Sequence, residues 1–269
     1  MKLMDLKNPF GAPVYYEETV SSTMETARIL AGRNEPHGTV ISAGFQESGR
    51  GRSSRPWTAD RGKNLLFTIL LRYGDISRLP PALTLKTGLA VALAVEDLVP
   101  ALSGSVLVKW PNDVMIGPRK AQAAYKAQAA YKAAGILTEG DGRNVYIGAG
   151  VNVAQKDFPE EYSTKAGSII SSFPGLAENA RFDLLEKILS RLYDEIENPR
   201  QEADSWRERL SRRLYKKGET VRFAAGAADS DHIIEGTLSG IGSNGELLII
   251  PSGEKAERAF VTGELRVYG

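Results

Sequence analysis

Residues 181–197 carry Leu184, Leu185, Ile188, Leu189, Leu192 and Ile196, a three- and four-residue spacing that lines one face of a helix. Residues 82–98 are apolar all round and stop before Pro100, which predicts a buried helix. Ser22-Thr23-Met24-Glu25 reads as a capping box, with the Ser22 hydroxyl and Glu25 carboxylate each satisfying a free amide of a helix that ends near Gly32. Residues 38–46, 64–71, 106–110, 134–139 and 145–153 are short apolar runs of strand length. Pro199 is expected to start one more helix, carrying Trp206 and Leu210. Strands outnumber helices between residues 100 and 155, so the expectation is an α+β fold, a mixed β-sheet with packed helices, rather than a doubly wound one. Past Lys216-Lys217 the texture changes. Nine of the 27 glycines fall in the last 52 residues, and strands at 220–223, 235–239, 246–250 and 264–267 are broken by turn signals such as Ser243-Asn244-Gly245. Two domains are expected, 1–217 and 218–269, the second a small β-barrel or SH3-like module.

Composition narrows the chemistry. With 34 Lys+Arg against 33 Asp+Glu the net charge is +1, which gives no global field for nucleic acid. There is no cysteine, so disulfide frameworks, thiol catalysis and Cys-based metal sites are excluded, and two histidines exclude a multi-histidine centre. The start, Met1-Lys2-Leu3-Met4-Asp5, lacks the apolar core of a signal peptide, and the longest strongly apolar runs, 65–71 and 88–95, are too short for a bilayer. The expectation is a cytoplasmic protein without a membrane partner.

One segment breaks the pattern. Residues 121–126 read Ala-Gln-Ala-Ala-Tyr-Lys, and 127–132 repeat them letter for letter. Removing all twelve joins Arg119-Lys120 to Ala133-Ala134-Gly135, so the simplest reading is a tandem duplication at a tolerant loop tip, the other being an interaction arm or a lysine-bearing tag.

Three clusters carry candidate chemistry. In Gly49-Arg50-Gly51-Arg52-Ser53-Ser54-Arg55-Pro56-Trp57, three arginines share a short loop with two glycines, and Arg61 and Lys63 follow with only Asp60 against them. Glycines let a backbone approach a ligand, and arginine forks bind carboxylate or phosphate oxygens; a solvated basic turn is the equal alternative. In Lys109-Trp110-Pro111-Asn112-Asp113, a lysine beside tryptophan on an apolar strand calls for an anionic partner, unless this is an edge strand with an Asx turn. In Gly148-Ala149-Gly150-Val151-Asn152, two strand glycines admit either a ligand's flat face or, more simply, close strand packing. There is no Walker A loop and no nucleophile elbow, so phosphate handling falls to arginine and lysine.

Taken in order, Ser21-Ser22-Thr23, Gln46 ahead of Gly49-Arg50-Gly51-Arg52, Lys109-Trp110-Pro111-Asn112-Asp113, Ala134-Gly135-Ile136-Leu137, Gly148-Ala149-Gly150-Val151-Asn152 and Gly263-Glu264 resemble the biotin–protein ligases over nearly the whole chain. The resemblance implies a class II synthetase-like catalytic domain with an SH3-like C-terminal domain. It further implies a ligase that makes biotinyl-5′-AMP from biotin and MgATP and passes biotin to a lysine of a biotin carboxyl carrier protein. By the same resemblance Lys109 and Arg50 are the catalytic candidates. Ser22, Thr23, Gln46, Arg50, Gly51, Arg52, Lys109 and Gly135 would bind biotin, and Arg52, Arg55, Trp57 and Asn152 would serve ATP. No metal ligand is assigned. Ser22-Thr23 come too early for an N-terminal helix-turn-helix, so no DNA binding is expected; a homodimer is possible. Three departures stand out: Met24 where the family often has Asn, Ser53-Ser54 where it often has Gly, and the repeat. The rivals are a catalytically silent biotin-binding regulator and a lipoate or octanoate transferase of related fold.

Overall fold

A computed structural model describes residues 1–117, 130–177, 179–198, 205–226 and 231–266. The strands are β1 (Lys2–Met4), β2 (Val14–Glu17), β3 (Thr39–Ala43), β4 (Leu65–Arg72), β5 (Val106–Lys109), β6 (Asp113–Ile116), β7 (Tyr131–Gly140) and β8 (Asn144–Val151). They form one sheet in the order β1-β2-β3-β4-β8-β7-β6-β5. Among these described strands β2 and β3 are the one parallel pair. A parallel pair needs a crossover, and helix α1 (Thr23–Gly32) supplies it.

The sheet is covered on both faces, which is why β4 reads Leu-Leu-Phe-Thr-Ile-Leu-Leu without polar alternation. Leu65, Phe67, Ile69 and Leu71 point to a core shared with α2 (Leu83–Leu98) and α4 (Ala180–Ile196), whereas Leu70 and Ile41 pack with Met24, Ala27 and Leu30 of α1. A short helix, α3 (Ile169–Ser172), precedes α4, and α5 (Trp206–Arg213) follows it. α4 buries Leu184, Leu185, Ile188, Leu189, Leu192 and Ile196, the face its spacing predicted.

The remaining strands, β9 (Thr220–Ala225), β10 (Ile233–Ile241), β11 (Leu247–Pro251), β12 (Arg258–Phe260) and β13 (Gly263–Arg266), make a second, antiparallel sheet ordered β12-β11-β10-β9-β13. Its buried Val221, Phe223, Leu238, Leu247 and Leu265 belong to the same core as the large sheet. The two meet at Trp110, whose ring centroid lies 5.8 Å from that of Phe223 and whose Nε1 donates to the Gly245 carbonyl at 3.0 Å.

Two expectations change, and a third falls partly on residues 199–204, outside the described residues. The Ser22 hydroxyl does cap α1, accepting from the Met24 amide at 3.2 Å, but Glu25 does not close the box, because its carboxylate is taken by Arg50 at 2.8 Å. The repeat is not confined to a loop tip: residues 121–129 lie outside the described residues, yet Tyr131 and Lys132 of the second copy are strand residues of β7. The helix expected from Pro199 is described only from Trp206, with Ser205 and Glu208 forming its capping box.

Candidate active site

A cleft of about 240 Å³ opens where the N-terminus of α1, the 49–57 loop, the β5–β6 hairpin and the centres of β7 and β8 converge. One end is polar. Thr68 Oγ1, on the otherwise apolar β4, donates to Thr23 Oγ1 at 2.9 Å, and Thr23 donates to Gln46 Oε1 from its hydroxyl at 2.9 Å and its backbone at 2.8 Å. The Gln46 carbonyl is thereby used. Its Nε2 lies beside Gly49, where a Cβ would stand 3.0 Å away. Ser22 is buried and committed to the helix cap, and Met24 presses its Cε against Gly148.

The floor is made by Gly135 and Gly150, register partners on β7 and β8. Their missing side chains give room to the Trp57 indole: a Cβ on Gly150 would overlap the ring, and one on Gly135 would stand 3.0 Å from it. The flat face that the strand glycines admit is therefore a side chain of the chain itself. The Trp57 Nε1 is buried and has no hydrogen-bond partner among the described residues. Asn152 closes this side, donating through Nδ2 to the Gly167 carbonyl at 3.2 Å.

The other end is charged. Lys109 ends β5, and the Trp110–Pro111 peptide that turns the chain into β6 is cis. Burial pushes the Lys109 ammonium below the usual lysine range; Asp113 and Glu264 pull it back up, while Lys132 and Arg55 push it further down. Lys132 Nζ binds Asp113 Oδ1 at 2.6 Å and lies 5.6 Å from the Trp57 ring centre. Arg52 reaches Asn112 Oδ1 at 3.4 Å, and Asn112 Nδ2 is anchored on the Ile136 carbonyl at 2.8 Å. Arg55 grips Glu264 of the second sheet through both terminal guanidinium nitrogens, at 3.2 and 3.1 Å. Burial raises the Glu264 carboxyl, but the Arg55 hydrogen bond and the charges of Arg55, Lys109 and Arg266 outweigh it and hold the group below the ordinary carboxylate range.

Every residue singled out for the site in the sequence borders this cleft: Ser22, Thr23, Gln46, Arg50, Gly51, Arg52, Arg55, Trp57, Lys109, Gly135 and Asn152. Arg50 differs in its direction. Its guanidinium lies on Glu25 at 2.8 Å and Glu139 at 3.4 Å, because two carboxylates on α1 and β7 outcompete the cleft for its charge. The sequence reading missed Thr68, Lys132, Phe158 and Tyr162, and it gave no site role to Asn112 or Glu264, though all of these line the same space.

Such a cleft can orient a ligand with a polar head at one end and set anionic groups against lysine and arginine at the other. Residues 16–152 match the biotin/lipoate A/B protein ligase family. The bifunctional ligase/repressor BirA of Bacillus subtilis is 36% identical over 166 residues, which is 59% of this chain and 46% of that protein. The chain thus spans about half the length of that relative. The biotin–[acetyl-CoA-carboxylase] ligase of Mycobacterium tuberculosis is 31% identical over 181 residues, 67% of this chain and 60% of that protein. Among solved structures, the biotin protein ligase from Aquifex aeolicus in complex with biotin and ATP superposes with a TM-score of 0.73 at 26% identity, covering 94% of this chain and 97% of that one.

Proposed function

The chain belongs to the biotin/lipoate A/B protein ligase family, and on that premise we propose that it is an ATP-dependent ligase that forms biotinyl-5′-AMP and transfers biotin to a lysine of a biotin carboxyl carrier protein. The observation that carries this reading is the single cleft running from Thr68, Thr23 and Gln46 to Lys109 and Arg52. A likeness to the Aquifex enzyme holding biotin and ATP supports it.

In the first step a biotin carboxylate oxygen bonds to the α-phosphorus of MgATP, the bridge to the β-phosphate breaks, and pyrophosphate leaves. Two anions must meet, and Lys109 with Arg52 reduces their repulsion and takes up charge on the α-phosphoryl oxygens. A preorganised donor of this kind is worth about 3–4 kcal/mol. In the second step the carrier lysine's amine attacks the acyl carbon, the bond to AMP breaks, and the amine's proton passes to solvent. Thr23, Gln46 and Thr68 take the ureido head of biotin, with Ser22 holding the cap behind them and the Gly135 backbone lining the pocket. Trp57, Arg55 and Asn152 serve the nucleotide. Arg50 contributes once it leaves Glu25 and Glu139. Mg2+ arrives on the triphosphate; among the described residues no three His, Cys, Asp or Glu gather as an ion site. The proposal includes a catalytic domain over 1–217, an SH3-like domain over 218–269 and a cytoplasmic location.

Mixing the protein with biotin and MgATP should release pyrophosphate in a biotin-dependent manner, and adding a carrier domain should give a biotinylated lysine. Tight biotin binding with neither product would replace the ligase by a silent regulator. Release driven by lipoate and not by biotin would move the chain to the other branch of its family.

A further inference from the structure

Asp113 stands between two lysines. It is the cross-strand partner of Lys109, yet Lys109 Nζ stays 3.9 Å from its Oδ2, while Lys132 Nζ takes Oδ1 at 2.6 Å. Simple alternation along β7 would not put Lys132 there. Ala134 and Ile136 belong to the core beneath α2 and α4, and Leu137 packs toward α1, so an unbroken strand would send Lys132 to the α2 face. The register slips instead: Val114 faces Ala134 and Met115 faces Lys132, which leaves Ala133 as the extra residue of a bulge. A bulge re-aims the side chain beside it, and this one turns Lys132 into the cleft. The backbone is held in place as well, since the Lys132 amide donates to the Lys165 carbonyl at 2.7 Å and its carbonyl accepts from the Gly167 amide at 3.1 Å. The ammonium then lies over Gly135, where a Cβ would come within 3.3 Å of Nζ.

The proposed adenylation needs the Lys109 ammonium for incoming anions, and a neighbouring aspartate competes for it. We infer that Lys132 is a positioning residue: it holds the Asp113 carboxylate and so leaves Lys109 open to the carboxylate and phosphate of the two substrates. The inference rests on the ligase reading for its consequence, but the hold itself can be read without substrate. The groups that face Lys109 are Asp113 from β6, Lys132 from β7, Glu264 from β13 and Arg55 from the loop. With Lys132 neutral, Asp113 closes on Lys109 and one like charge disappears, so both changes raise the pH at which Lys109 titrates.

The test compares Lys132→Met, Lys132→Arg, Asp113→Asn and the double variant K132M/D113N. Lys109 titration is followed by NMR on lysine labelled at Cε, and turnover by biotin-dependent pyrophosphate release. Lys132→Met should titrate Lys109 at higher pH and lower kcat about tenfold, the scale of one charge-assisted hydrogen bond. Lys132→Arg should keep kcat within about twofold, because arginine still engages the carboxylate. K132M/D113N should regain most of the loss, since no carboxylate is left to occupy Lys109. Asp113→Asn alone should titrate Lys109 at lower pH, a readout that stands even if Lys132→Met fails to fold. An unchanged Lys109 titration in Lys132→Met or in Asp113→Asn would overturn the inference, as would a double variant as slow as Lys132→Met. If the wild-type protein releases no pyrophosphate, the ligase reading fails, while an upward Lys109 shift on Lys132→Met that is larger with Asp113 present than in the Asp113→Asn background still supports the hold on Asp113.

Discussion

Lys109 stands where burial works against a charge. Its side chain is only 12% exposed, and desolvation is the largest influence on its ammonium, lowering its pKa. A lysine whose folded pKa is depressed binds fewer protons in the native state than in the unfolded one. Its penalty is fully present below the folded pKa and is relieved as pH rises toward the unfolded value near 10.4. Activity runs the other way, because the anions need the ammonium, so adenylation should be lost as pH rises through the lowered pKa. Lys109→Met should therefore divide the two properties. Its thermal midpoint at neutral pH should equal or exceed that of the wild type, and pyrophosphate release should fall by about 10²–10³. A variant that melts higher and still turns over normally would remove Lys109 from the chemistry. Other residues were less legible. Thr68 sits inside an apolar strand and gave only a strand signal, and its role appears only when Thr23 lies across from it. Lys132 is the last letter of a repeat, which hid a cation that a bulge turns into the cleft.

The hairpin of β7 and β8 carries Lys132, Gly135, Gly148 and Gly150, and its turn is pinned by Asp141. That carboxylate accepts from the Arg143 and Asn144 amides at 3.1 and 2.8 Å, from Asn144 Nδ2 at 3.0 Å and from the Tyr146 hydroxyl at 2.6 Å. Burial is the largest single influence and raises its pKa, but these donors together outweigh it and hold the group far below the carboxylate range. A depressed carboxylate contributes stability above its unfolded pKa near 3.9 and loses it as pH falls below that value. Asp141→Ala should cost about 1–2 kcal/mol at pH 7, a modest figure because the group is solvent-exposed, and the gap from wild type should close in acid. Urea unfolding at pH 7 and pH 3 tests it; an equal gap at both would mean the charge is not what holds the turn. The central elements were visible in the sequence because burial on both faces makes β4 a continuous apolar run and α2 apolar all round. Of the three- and four-residue strands, β5 and β13 were found and β1, β2, β6 and β12 were missed, since so short a run shows no reliable period. The half-formed capping box at Glu25 failed for a long-range reason, since Arg50 lies 25 residues away in sequence.

At the scale of the whole molecule, the second sheet completes the cleft by bringing Glu264 to Arg55, so whatever fixes that sheet also fixes the site. Trp110 bonds Gly245, and Arg207 of α5 bonds the Ile241 carbonyl at 3.0 Å. Helix α5 is itself tied down by ion pairs to helices beneath it. Arg209 meets Glu195 of α4 at 2.7 Å, and Arg213 meets Glu96 of α2 at 2.7 Å. Glu96 is 8% exposed at its side chain, and its second oxygen accepts the Gly104 amide at 2.9 Å. A pair this deep adds little over a well-packed apolar pair, but losing one partner strands the other charge. Arg213→Met should then cost about 3–5 kcal/mol, and combining it with Glu96→Met should recover most of that loss. Denaturant unfolding of the single and double variants measures both quantities. If the coupling runs through α5 to Ile241 and on to Glu264, the single variant should also raise KM for MgATP while the double variant restores it. A stability loss with unchanged KM would confine the ion pair to holding the helices, and the second sheet would then owe its position to Trp110 and the shared core.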